Sequence, residues 1–166
     1  MVLIAAVEGG GTSFKVAICR EDGTVIRRFQ ADSSNDDAPT TTLAACAAFL
    51  RTFAPVAALG IATFGPVGVK PNDAATCGRI LPSSPKASWR NVDVLTPLRA
   101  ACGGADCACL VETDVNAPAY AEFVAARRDE NPLLTSCAYI TTEPITIDFF
   151  CERGLVKSYV TLSKAQ

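Results

Sequence analysis

The chain has 166 residues, of which 49% are hydrophobic and 19% are charged, and its formal net charge is −2. This composition supports a packed globular core and excludes an intrinsically disordered chain. The sequence contains no clustered basic tract, so we expect no nucleic-acid partner. No apolar run reaches the length of a membrane span, so we expect no membrane insertion.

Histidine is absent from the sequence, which contains eight cysteines. The lack of histidine excludes Ser-His-Asp and Cys-His nucleophile systems and histidine-based zinc chemistry. The cysteines form no Cys-x-x-Cys pair, and we interpret them as small buried residues in a reducing compartment. The first residues lack a charged leader before a short apolar run, so we expect a cytoplasmic protein.

The first part of the chain predicts three strands joined by short turns. Residues 2–8 and 12–19 are apolar runs separated by glycines, and residues 24–30 follow an Arg-Glu-Asp-Gly turn with partial alternation. Strands joined in this way form an antiparallel meander.

Helices and strands then alternate along the chain. The pattern predicts helices at 40–53, 91–102 and 115–128, and strands at 56–62, 107–112 and 136–142. The order β-β-β-α-β-α-β-α-β predicts an α/β fold with a mixed sheet, whose ligands bind at the carboxyl ends of the parallel strands. Residues 63–90 are rich in proline and glycine and predict a long ordered loop, a feature that is usually functional.

The first candidate site is the stretch VEGGGTSFKVAI, residues 7–18. Backbone N–H groups of Gly10 and Gly11, together with the Thr12 hydroxyl, suit phosphate oxygens. Glu8, at the end of the first strand, could hold a magnesium ion through water. An ordinary glycine hairpin turn is the alternative, and three glycines taken alone favour it.

The second candidate is Asp114, in the stretch ETDVNAPAYAE. It falls between a predicted strand and the next helix, where the helix dipole would keep its carboxylate ionised. A plain N-cap aspartate is the alternative, and one residue can fill both roles.

The third candidate is the long loop, which carries the turn signals Gly65-Pro66 and Pro85-Lys86 and the single tryptophan, Trp89. The indole could form the wall of a sugar site, or it could plug the core beneath the loop.

Five stretches, in order, resemble the sugar kinases of the ROK family, on the actin-like ATPase (ribonuclease H-like) fold, and above all its bacterial fructokinases. VEGGGTSFKVAI is similar to the family's first phosphate motif, GIATFGP to its GIxSFGP stretch, SSPKASWRNVDV to its STPKxGWxNxD loop, and ETDVNAPAYAE to DTDVNAAALGE. AYITT resembles the strand that leads into the second phosphate loop. The resemblance covers residues 2–142.

The resemblance implies phosphorylation of a small sugar, most simply fructose, with ATP and Mg²⁺. An aspartate is a weak base for an alcohol, but phosphoryl transfer is loose and the proton can leave late. The roles implied are the catalytic base at Asp114, phosphate contacts at Gly10, Gly11 and Thr12, a metal contact at Glu8, and sugar-side positions at Asn116, Gly65, Pro66, Lys86 and Trp89.

The sequence departs from the family pattern at several positions. Ser13 stands where many members carry lysine, and Pro118 replaces an alanine. After Thr142 the family continues with a GTGxGGG loop, whereas this chain reads TEPITIDFF. Glu143 would repel a polyphosphate, and Pro144 lacks an N–H donor. The stretch FFCERGLVKSYV still predicts two strands joined by an Arg-Gly turn.

We therefore predict an N-terminal kinase lobe at residues 1–135 and the start of a divergent second lobe, without a zinc site, at 136–166. Two functions stay open: a fructokinase-like kinase, and a non-catalytic sugar-binding or dimerisation relative. A ROK-type repressor is disfavoured, because the chain starts at the first strand without a helix-turn-helix. An apolar face left exposed by a missing second lobe would favour a homodimer.

Overall fold

The computed structural model describes residues 1–121 in full and, after them, the backbone of strands at 134–142, 145–152 and 155–162. The chain divides into two compact units, Met1–Asp114 and Val115–Gln166. The lobe boundary expected near residue 135 stays a prediction, because residues 122–133 lie outside the described part. No helix among the described residues is long and apolar enough to cross a membrane.

The first unit is built on a five-stranded mixed sheet with the strand order β3-β2-β1-β4-β5. The strands are β1 (Leu3–Gly9), β2 (Ser13–Arg20), β3 (Val25–Asp32), β4 (Ala58–Thr63) and β5 (Ala108–Thr113). β1, β2 and β3 form an antiparallel meander, and β4 and β5 run parallel to β1. The predicted α/β class and mixed sheet are confirmed.

Two helices connect the parallel strands, α1 (Ala38–Arg51) and α2 (Leu95–Cys102). α1 starts next to Pro39, whose fixed φ suits the first helical turn. α2 is shorter than the predicted helix at 91–102. Asn91 has a φ of 63°, in the left-handed region, so the chain cannot be helical from there.

The core lies on the face of the sheet that these helices cover. Alternate residues of β2 are buried there, namely Phe14, Val16 and Ile18. The helical spacing of α1 correctly predicts its buried face, which consists of Leu43, Cys46, Ala47 and Leu50. The same spacing extends to Phe53, which is half-buried because the helix ends before it.

The long loop, residues 64–94 between β4 and α2, is ordered as predicted. It contains a short 3-10 helix at Ala87–Trp89 and isolated bridges that pair Val67 with Ile80 and Arg79 with Asp93. These internal contacts give the loop a fixed shape without a long regular element.

The second unit, taken by itself, contains helical residues 116–121 and a three-stranded antiparallel sheet. Its strands are β6 (Leu134–Thr142), β7 (Ile145–Glu152) and β8 (Leu155–Leu162). The predicted strand at 136–142 and the two strands expected after it are confirmed, while the expected Arg-Gly turn between those two lies outside the described residues. The expected second phosphate-loop positions Glu143 and Pro144 lie outside the described residues.

Candidate functional site

The parallel strands of the first unit end side by side, and their register brings the candidate residues to one edge. Gly9 of β1 is level with Thr63 of β4, which is level with Thr113 of β5. The Phe64 N–H donates to the Gly9 carbonyl at 2.8 Å, and the Asp114 N–H donates to the Thr63 carbonyl at 2.9 Å. The glycine-rich turn, the start of the long loop and Asp114 therefore share the carboxyl edge, where open α/β sheets bind ligands.

The glycine loop, which we define as Gly10–Thr12 between β1 and β2, is held by its carbonyl groups. The Ser33 hydroxyl donates to the Gly10 carbonyl at 2.9 Å, and the Ser33 N–H donates to the Thr12 carbonyl at 3.0 Å. The Lys86 ammonium donates to the Gly11 carbonyl. The Gly10 N–H donates to the Ser13 carbonyl at 2.9 Å, so this amide is not available to phosphate, contrary to the prediction. Among the described residues, the N–H groups of Gly11 and Thr12 have no intramolecular acceptor. Occupied carbonyls beside two successive available amides are what an anion requires.

Close packing beneath the glycine loop requires a glycine at position 9. A Cβ on Gly9 would lie 2.5 Å from Thr63 Oγ1 and 2.6 Å from Phe14 Cζ. A Cβ on Gly11 would meet nothing within 4 Å. The Thr63 hydroxyl is fully buried and has no hydrogen-bond partner within the described ranges. The loop is thus anchored at its start and open at its tip.

Glu8 lies on the face of the sheet that the helices leave uncovered. Its carboxylate is paired with Lys15 on β2 at 3.4 Å, and both side chains are more than half exposed. Within the described residues, no group of three or more acidic or cysteine side chains could hold a metal ion. A single exposed carboxylate is compatible with a Mg²⁺ ion that is bound through water, and the metal contact of Glu8 stays a prediction.

Lys86, grouped by sequence with the sugar-side loop, brings its charged end to the glycine loop. Its ammonium donates to the carbonyl groups of Gly11 and Ser33. The same nitrogen lies 5.1 Å from the ring centroid of Phe64 and 5.5 Å from that of Trp89. The long loop and the glycine loop are therefore joined through this one side chain.

Trp89 is completely buried, as the core alternative requires. Its ring stacks on Phe14 at 4.9 Å with an interplanar angle of 12°, and meets Phe64 edge-on at 5.4 Å. The indole face is thus inaccessible to a sugar, and Trp89 acts on this edge only through the residues that it supports.

The remaining candidate residues lie at three places. Gly65 and Pro66, joined by a cis peptide bond, lie two and three residues after the end of β4, and the Gly65 carbonyl accepts a hydrogen bond from the buried Ser84 hydroxyl at 3.4 Å. Asp114 is half-buried and follows β5 directly. Asn116 is exposed and begins the helical residues of the second unit. The first unit thus brings Gly65, Pro66 and Asp114 to the edge that carries the glycine loop.

Ser33 and Thr63 belong to this edge, although the sequence analysis did not single them out. A signal for Ser33 was available in the topology. The third strand of an antiparallel meander ends at the edge where the second strand begins, so the residue after β3 must lie beside the glycine loop. Thr63 carries no comparable signal, because only the register of β1 and β4 places it under Gly9.

Comparison with known proteins agrees with this architecture. The sequence pattern of the ROK family matches residues 4–141. A fructokinase from Pediococcus pentosaceus is 36% identical over 121 residues, which are 73% of this chain and 39% of the relative. A ROK family glucokinase from Streptomyces griseus, solved with glucose and AMPPNP, superposes with a TM-score of 0.50 at 18% identity, covering 93% of this chain and 46% of that one.

A ROK family transcriptional regulator described as a homologue of the E. coli MLC protein superposes with a TM-score of 0.61 at 17% identity. The superposition covers 93% of this chain and 38% of the regulator. Sheet order, glycine loop and structural neighbours define the actin-like ATPase fold. The chain belongs to the ROK family. It spans about two fifths of the length of the fructokinase that it matches.

Proposed function

We propose that this chain carries the ATP-phosphate and catalytic-base half of a sugar kinase, with fructose as the favoured sugar. The family and the 36% identity to a fructokinase support the kinase assignment. The observation that carries the proposal is the glycine loop, whose carbonyls are all bound while the Gly11 and Thr12 amides stay available. This loop lies at the sheet edge that also holds Asp114.

Each residue has a simple role in such a transfer. The Gly11 and Thr12 amides and the Thr12 hydroxyl would donate to phosphate oxygens and orient the terminal phosphoryl group in line with the sugar. Glu8 would hold Mg²⁺ through water, and the ion would neutralise charge on the phosphates.

Asp114 would accept the proton of the sugar hydroxyl as the new O–P bond forms and the bond to the departing ADP oxygen breaks. A carboxylate suffices, because in a loose transition state the nucleophile has gained little charge and its proton leaves late. The Gly65-Pro66 turn would support the sugar at this edge. The resemblance implies a sugar-side role for Asn116 as well.

A second function is favoured by the sequence that follows Thr142. It reads Glu143-Pro144, where the resemblance to the family's kinases implies a glycine-rich phosphate loop. A carboxylate and a residue without an N–H are poor phosphate ligands. This feature supports a relative that binds a sugar without phosphorylating it.

We also propose a cytoplasmic location. The six cysteines of residues 1–121, among them Cys19 and Cys77, which are not fully buried, are free thiols. Thiols of this kind persist in a reducing compartment.

A coupled ADP-release assay on the 166-residue chain, with fructose, glucose and mannose, tests the proposal. We expect turnover with fructose, reduced by a factor of about 10² to 10⁴ in Asp114→Asn. Asp106→Asn, which changes an exposed carboxylate before β5, is the matched control and should retain activity. Calorimetric sugar binding without turnover would support the second function, and neither binding nor turnover would overturn both.

A further inference from the structure

We propose that Lys86 is a positioning residue, which holds the glycine loop in its phosphate-binding shape and links that shape to the sugar-side loop. This inference rests on the proposed function and assigns to Lys86 a role toward the nucleotide phosphates rather than toward the sugar.

The contacts of the ammonium carry the inference. It donates to the Gly11 carbonyl, at the tip of the loop, and to the Ser33 carbonyl. Ser33 itself donates to the Gly10 carbonyl through its hydroxyl and to the Thr12 carbonyl through its N–H. Each donor that draws a loop carbonyl inward leaves the neighbouring N–H free to face outward. Without Lys86, the Gly11 carbonyl loses its donor, and the Gly11–Thr12 peptide plane is free to rotate.

The surroundings of Lys86 restrict its ammonium to this position. The rings of Phe64 and Trp89 lie 5.1 Å and 5.5 Å away, within the range of cation–π attraction. Burial lowers the pKa of Lys86, and the nearby Asp32 carboxylate opposes this shift. A side chain that is partly removed from water and bonded to two carbonyls loses little further freedom when a ligand binds.

The backbone of Lys86 extends the link toward the sugar-side residues. Its N–H donates to the Ser84 hydroxyl at 3.3 Å, and that hydroxyl donates to the Gly65 carbonyl at 3.4 Å. Three hydrogen bonds and the Lys86 side chain therefore connect Gly65 to Gly11. Movement of the long loop on sugar binding would be transmitted to the phosphate-binding amides along this path.

Three variants separate positioning from simple folding effects. Lys86→Met keeps the length of the side chain and removes its charge and donors. Lys86→Arg keeps the charge, but its planar guanidinium cannot reproduce the geometry of a compact ammonium. Lys70→Met removes an exposed lysine from the same long loop and is the matched control.

In the ADP-release assay, we expect Lys86→Met to raise the KM for MgATP about tenfold or more, as expected for loss of a charged hydrogen bond, while kcat changes less. The KM of Lys86→Arg for MgATP should lie between the values of Lys86→Met and the original chain. The KM of Lys70→Met should equal that of the original chain. An unchanged KM for MgATP in Lys86→Met, with the original chain active, would overturn the inference and leave the proposed function intact.

Amide hydrogen exchange tests the same inference without turnover. The Gly10 and Ser33 N–H groups are bonded to the Ser13 and Thr12 carbonyls, so their exchange reports the shape of the loop. We expect both amides to exchange faster in Lys86→Met than in Lys70→Met. Equal exchange rates in the two variants would overturn the inference, whether or not the original chain is active. Inactivity of the original chain with every sugar would instead count against the proposed function.

Discussion

Two connections at the carboxyl edge of the sheet are built in opposite ways. The glycine loop has three residues and no core of its own, so its shape depends on donors from Ser33 and Lys86. The long loop buries its own apolar residues, with Ile80 and Trp89 completely covered, and pairs with itself through isolated bridges. The short connection thus presents backbone amides, which suit phosphate, whereas the long one is a scaffold that presents side chains and turns.

Removal of the apolar plug should have the largest effect on the long loop. Trp89→Ala deletes a fully buried ring that stacks on Phe14, and we expect the free energy of unfolding to fall by about 3–5 kcal/mol. Trp89→Phe, which keeps an aromatic ring over Phe14, should lose clearly less. Urea unfolding measures both, and a loss below about 1 kcal/mol for Trp89→Ala would show that the loop does not depend on this plug.

Adding one methyl group to each connection should destabilise the long loop more than the glycine loop. A Cβ on Gly68 in the long loop would lie 2.0 Å from the Thr76 carbonyl oxygen, so we expect Gly68→Ala to cost about 1–3 kcal/mol or more. Gly11→Ala in the glycine loop meets open space and should stay within about 0.5 kcal/mol of the original chain. Comparable losses in the two variants, measured by urea unfolding, would contradict the difference between the connections.

Removal of one external donor should loosen the short connection alone. Ser33→Ala leaves the Gly10 carbonyl without its hydroxyl donor, and we expect a loss of about 0.5–1.5 kcal/mol. Ser83→Ala, which changes an exposed serine of the long loop, is the control. Thermal unfolding gives the stabilities, and exchange of the Gly10 amide shows whether the loss is confined to the loop. An unchanged exchange rate would argue against Ser33 as a support.

The smallest effect concerns the core that lies beneath both connections. Burial raises the pKa of Cys46 to about 11 from a reference value of 9.0. The thiol binds its proton more tightly in the folded state, so its contribution is complete below about pH 9 and is lost as the pH rises toward 11. Above pH 9, the free energy of unfolding should fall less steeply with pH in Cys46→Ala than in the original chain. We expect the two slopes to differ by less than about 1.4 kcal/mol per pH unit, as measured by urea unfolding under reductant. Identical slopes would contradict this assignment.

The order of elements could be predicted from the sequence because its signals are local. Glycine-bounded apolar runs predicted the meander, and helical spacing predicted the buried face of α1. The start of α2 could not be predicted, because it depends on the left-handed backbone of Asn91, a residue type that also tolerates helices.

The position of the Lys86 ammonium could not be predicted from the sequence. Its neighbours in sequence placed it with the sugar-side loop, yet a four-carbon side chain reaches a carbonyl 75 residues away along the chain. Trp89 was equally ambiguous, because a ring in a polar stretch can face a ligand or a core. Contacts between segments distant in sequence decide both positions, and no local pattern records them.

The central claim is that the Gly11 and Thr12 amides bind nucleotide phosphate. The chain has 11 glycines, so selective ¹⁵N-glycine labelling gives a spectrum simple enough to assign. On titration with MgATP, the Gly11 amide resonance should shift, while Gly23, in the turn between β2 and β3 at the opposite end of the meander, should not. An unmoved Gly11 resonance at millimolar MgATP, or an equal shift at Gly23, would contradict the claim.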